Sequence, residues 1–149
     1  MLTPVGRRVA VACVVLLTAA GCNRAPTAPG SEAVDVSGTW AGSASDTTGF
    51  GDLLWRVTQA DGTFQGSVEI TDRSVGITGR GTVSGSITGG LIQFTLTVPV
   101  AGFSEPFDSC STTVTGQATA GTTALAGLYA GSSTCSGTIY SGQLVLRRL

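Results

Sequence analysis

Few residues in this chain are suited to doing chemistry. Four are cysteines (Cys13, Cys22, Cys110, Cys135) and nine are carboxylates, while histidine and lysine are both absent. The commonest general base and the usual amine nucleophile are therefore missing, and no G-x-S-x-G nucleophile elbow occurs. Two carboxylate pairs, Asp46 with Asp52 and Glu105 with Asp108, have the right types for acid–base work, but solvated loop charge is the simpler reading of both. The cysteines and scattered carboxylates do not form a metal-ligand cluster. This points away from an enzyme and implies neither cofactor nor metal. What remains is the chemistry of the thiols, and that depends on where the chain is sent.

The first stretch, MLTPVGRRVAVACVVLLTAAGC, puts Arg7 and Arg8 before twelve mostly apolar residues and then small ones. That is the three-part layout of an export signal, and twelve residues are too few to span a bilayer. Its end, Ala19-Ala20-Gly21-Cys22, resembles the lipobox of bacterial lipoproteins, with Ala19 where leucine is usual. The resemblance implies cleavage before Cys22 and acylation of that cysteine. A polar, proline-bearing tether follows, NRAPTAPGSEA. Asn23 stands where an aspartate would, in the enterobacterial sorting pattern, retain the protein at the inner membrane, so the resemblance implies the periplasmic face of the outer membrane. The expected organisation is a signal peptide over 1–21, a lipidated tether over 22–35 and one domain over 36–149. Losing Arg7 and Arg8 makes the net charge of −1 more negative by two, and the remaining arginines are scattered, so nucleic acid is not an expected partner.

The domain must be built of strands. Beyond residue 22 no stretch sustains a 3.6-residue apolar period, whereas period-2 alternation broken by turn residues runs throughout, among 22 glycines in 149 residues. A hairpin turn at Asp61-Gly62 sets Gln59 against Phe64, Val57 against Gly66, Trp55 against Val68 and Leu53 against Ile70. A second turn at Gly89-Gly90 sets Ile87 against Ile92, Gly85 against Phe94 and Val83 against Leu96. A third, around Thr122-Thr123, sets Gly116 against Tyr129 and Cys110 against Cys135. With Cys13 lost in the leader and Cys22 acylated, as the lipoprotein resemblance implies, these two are the remaining pair in an oxidising compartment. A disulfide closing about 25 residues stabilises by roughly 3 kcal/mol.

Glycine recurs on the apolar face, in GTWAGS, GTFQGS and GTVSGS. Inward glycine lets a strand coil and makes room for a ring from a neighbouring strand, as expected at Gly85 for Phe94 and at Gly116 for Tyr129. Eight strands, near 36–44, 52–60, 63–71, 76–88, 91–99, 110–120, 124–133 and 138–148, then predict an all-β, eight-stranded antiparallel up-and-down barrel. Short turns at 61–62, 89–90 and 122–123 fall at one end, and the loops 45–51, 72–75, 100–109 and 134–137 at the other. The inward set is expected to include Val83, Val114, Leu125, Tyr140 and Leu144.

Gly38-Thr39-Trp40 resembles the G-x-W signature of the lipocalins, avidins and their calycin relatives. In those families the tryptophan plugs the barrel floor beneath an arginine from the last strand. Arg148 holds the matching place here, which implies a cation–π contact worth roughly 1 kcal/mol. The avidin biotin pocket is not implied, because Trp40 and Trp55 are the only tryptophans. A barrel of this size is either filled by its own side chains or admits one small ligand. Trp55, Phe64, Phe94 and Tyr129 are the candidate pocket rings, with Phe50, Phe103 and Phe107 at the open end as a lid, as an anchor for a protein partner, or simply tucked over the top. The function expected is that of a membrane-anchored envelope protein binding a small apolar ligand; the alternative is an inhibitor-like protein binder or a structural lipoprotein.

Overall fold

The computed structural model describes residues 34–149. The leader, Cys22 and the tether up to residue 33 lie outside the described residues. Eight antiparallel strands follow one another, β1 (Gly38–Asp46), β2 (Gly49–Ala60), β3 (Thr63–Asp72), β4 (Ile77–Thr88), β5 (Leu91–Val98), β6 (Thr112–Ala120), β7 (Ala124–Ser133) and β8 (Gly137–Arg148). Each pairs with the next, and β1 pairs with β8 from Trp40 opposite Arg148 to Ser45 opposite Gln143, so the sheet closes into a barrel. Closure leaves none of the described strands at an open sheet edge, although the β1–β8 ladder covers only Gln143–Arg148 of β8.

The registers follow from turn chemistry. Asp61 and Gly62 both have positive φ (49° and 76°), as do Gly89 and Gly90 (57° and 84°), the left-handed pair whose twist matches that of the flanking strands. Trp55 accordingly faces Val68, Gly85 faces Phe94 and Gly116 faces Tyr129.

Two local readings are corrected. Instead of a loop over 45–51, β1 and β2 run on to Asp46 and Gly49, leaving only Thr47 and Thr48 between them. Asp46 Oδ1 accepts from Thr48 N at 2.7 Å and from Thr48 Oγ1 at 2.6 Å, a side-chain turn that stands in for a longer connection. Phe50 therefore lies on a strand. Tyr140 faces outward, 58% exposed, because β8 carries one extra residue: Tyr129 is opposite Gly142 but Gly131 is opposite Ile139. Ser141 takes positive φ (57°) in this bulge, which flips the alternation and buries Ile139 in Tyr140's place.

The disulfide joins Cys110 and Cys135, with Cα atoms 5.6 Å apart, just beyond the β6–β7 ladder. It ties the long connection between β5 and β6 to the turn between β7 and β8. The double variant Cys110→Ser/Cys135→Ser is expected to lose on the order of 3 kcal/mol in urea unfolding, and reductant should bring the parent protein down to the same midpoint.

Candidate functional site

The barrel interior is divided between a packed half and an open half. At the end bearing the turns 61–62 and 89–90, Trp40, Trp55, Val57, Phe64, Ile87, Ile92, Ala118, Leu125 and Leu146 are all buried. Residues 34–37 are bound across that end. Trp40 Nε1 donates to Val36 O at 2.8 Å, Val36 N donates to Gln59 Oε1 at 2.8 Å, and Gln59 N donates to Ser37 Oγ at 3.0 Å. Arg148 stacks over Trp40 with its guanidinium carbon 4.6 Å from the ring centroid, and donates to Ser37 O at 2.8 Å and to Asp35 O. This end is sealed by a fully buried tryptophan whose polar atom is bonded and whose outer face is covered by Arg148.

A row of inward residues controls how much space is left above. Across β3 to β8 it reads Phe64, Gly85, Phe94, Gly116, Tyr129, Gly142. A Cβ added at Gly85 would stand 2.8 Å from the Phe64 ring, one at Gly116 2.4 Å from Phe94, and one at Gly142 2.5 Å from Tyr129. Each ring thus leans over the glycine of the following strand. The expected pairings, Phe94 over Gly85 and Tyr129 over Gly116, are corrected to the opposite lean. All rings turn the same way round the wall, so that no two compete for one glycine, and they lie against the wall rather than across the lumen.

The volume so released is a cavity of about 230 Å³ in the open half. Its depth is lined by Leu53, Ile70, Phe94, Leu96, Val114 and Leu144, and its mouth by Phe50, Phe103, Phe107 and the Cys110–Cys135 bridge. Trp55 and Phe64, also expected on the pocket wall, belong instead to the packed half; Trp55 meets the cavity only through Phe94, edge to face at 5.3 Å between centroids. The sequence had not singled out Leu53, Ile70 or Ile139 as lining, although the period-2 pattern places the first two on the inward face.

The long connection after β5 is held over the mouth. Arg80 N donates to Gly102 O and Ser104 N to Thr78 O, each at 2.8 Å, while Phe103 bridges to Gly79. The Phe103 ring fills the space over that glycine, where a Cβ would be 2.8 Å away. Phe103 and Phe107 are half-buried; Phe50 is 57% exposed.

Polar groups gather at the rim. Tyr129 passes over Gly142 and donates its hydroxyl to Asp46 Oδ2 at 2.7 Å. Burial, helped by this bond to a carboxylate, holds the phenol well above its ordinary pKa, so it stays a neutral donor. Asp72 Oδ1 accepts from Ser74 N at 2.7 Å. Asp52, of outward parity on β2, pairs with Arg73 at 2.7 Å. Of the other carboxylates considered for acid–base work, Glu105 and Asp108 are exposed on the lid connection. The arrangement offers shape, an apolar wall and acceptors at the mouth. Comparison with protein-family models, curated proteins and solved structures finds no match to this chain.

Proposed function

We propose that this chain is a non-catalytic binding protein of the bacterial envelope, anchored through an acylated Cys22 to the periplasmic face of the outer membrane and holding a small, largely apolar molecule in its calycin-like barrel. The supporting observation is the cavity of about 230 Å³ in the open half of a barrel whose other end Trp40 plugs, lined in its depth by aliphatic and aromatic side chains. For scale, a 150 Å³ apolar cavity accepts benzene, so this one has space for roughly ten non-hydrogen atoms. The mouth aromatics favour a carrier over a protein binder: Phe103 and Phe107 are turned into the mouth and hold part of its wall, leaving Phe50 as the exposed ring. Residues 34–37 arrive at the sealed end, so an anchor preceding them leaves the mouth facing away from the membrane.

Native mass spectrometry of gently purified protein is expected to show a small molecule retained one to one, and Val114→Phe, which fills the cavity from a buried lining position, to release it with folding intact. Repeated recovery of an empty barrel that binds no apolar probe would overturn the reading. For the anchor, the intact mass of detergent-extracted protein should begin at Cys22 with acyl groups attached, and an unmodified Cys22 would remove it.

A further inference from the structure

The cavity's mouth is chemically one-sided. Asp46 and Asp72 end β1 and β3 on the inward parity that Trp40, Gly42 and Ala44, and Phe64, Val68 and Ile70, share along those strands. Both line the cavity, and among the described residues no arginine or lysine does. Asp52 also borders it, but its charge is offset by Arg73 outside. The donors near Asp46 are already committed: the Tyr129 hydroxyl to Oδ2, the Thr48 hydroxyl and amide to Oδ1. Asp72 receives Ser74 N and Val75 N on Oδ1 alone, so that Oδ2 has no protein donor among the described residues. Thr112, Ser133 and Ser136 complete the rim and are uncharged.

From this we infer that the bound molecule is a cationic amphiphile, an amine with a hydrocarbon body of about eight to ten carbons, seated tail inward with its ammonium between Asp46 and Asp72. The inference rests on the cavity being a ligand site. An apolar body matches the depth of the chamber, and an ammonium brings a charged donor for the unfilled Asp72 oxygen and the positive charge that the rim lacks. A carboxylate head meets two like charges with no cation facing it. Fatty acids are thereby disfavoured although their tails fit equally well.

The test uses three probes with one tail, octylammonium, 1-octanol and octanoate, titrated calorimetrically at pH 7 and low salt into the full chain carrying Cys22→Ser. Octylammonium is expected to bind at least tenfold more tightly than octanoate, with octanol between them and the gap shrinking in high salt. Asp72→Asn keeps the oxygen that accepts from the Ser74 and Val75 amides, and should weaken octylammonium severalfold while leaving octanol unchanged. Asp61→Asn removes the same charge at the sealed end, in a left-handed turn position that asparagine tolerates, and should change neither. Equal binding of octylammonium and octanoate, or a gap insensitive to Asp72→Asn, overturns the head-group assignment and leaves the cavity reading standing. Binding of none of the three overturns both.

Discussion

Trp40→Ala is expected to lower the unfolding free energy by about 3–5 kcal/mol, the range for deleting a buried aromatic side chain, which is a large share of what a domain of this size has. Trp40 is fully buried in the packed half, and the loss extends beyond its own contacts. Its indole nitrogen donates to Val36 O, and its face carries the Arg148 guanidinium, which in turn donates to Ser37 and Asp35 carbonyls. Without the ring, the segment across the sealed end loses one tie directly and the support of two others. Trp40→Phe keeps a ring under Arg148 but loses the Nε1 bond and volume, and should cost only about 1–3 kcal/mol. A cycle with Arg148→Ala tests the coupling: the double variant should be less destabilised than the sum of the singles by about 1 kcal/mol. Thermal and urea unfolding measure both, and strict additivity would mean that tryptophan and arginine are neighbours without energetic connection.

The strand order, closure and most registers were legible because turn chemistry is local. A pair such as Gly89-Gly90 fixes which residues face each other along two whole strands, and period-2 alternation then assigns the faces. The opposition of Cys110 and Cys135 came from the same arithmetic. Errors arose where one residue changed the count or a side chain replaced a loop. Nothing in TIYSGQL signals that Ser141 adopts positive φ, yet that single bulge exchanges Tyr140 for Ile139. The glycine- and threonine-rich stretch from Asp46 to Gly51 has the composition of a loop, but Asp46 binding Thr48 shortens it to two residues. The candidate site was legible in part. Inward aromatics and glycines are visible in sequence, whereas the direction in which each ring leans decides whether the lumen is filled or open. That direction depends on strand tilt across the closed barrel, which no single hairpin specifies.

Gly116→Val is the sharpest test of that arrangement. A Cβ at Gly116 would lie 2.4 Å from Leu128 O and 2.4 Å from Phe94 Cζ; the carbonyl belongs to the neighbouring strand's backbone and cannot swing aside, and the ring is packed against Trp55. Relief requires β6 to separate from β7 and Phe94 to leave the wall, so the cost should exceed about 3 kcal/mol, beyond ordinary overpacking. Gly137→Ala isolates the backbone part of such a change: Gly137 has φ of 78° with nothing within 4 Å of the added atom, and the expected loss is about 1–2 kcal/mol. Adding Phe94→Leu to Gly116→Val should recover only part of the lost stability, since the Leu128 carbonyl remains. The milder Gly116→Ala is the more informative variant for binding, because the Phe94 ring, displaced from its glycine, has the cavity as its open side. Any molecule held there should then be lost by an amount that stability alone does not account for. If Gly116→Val instead unfolds within about 1 kcal/mol of the parent, the glycine row is not what keeps the rings against the wall, and the volume of the chamber needs another cause.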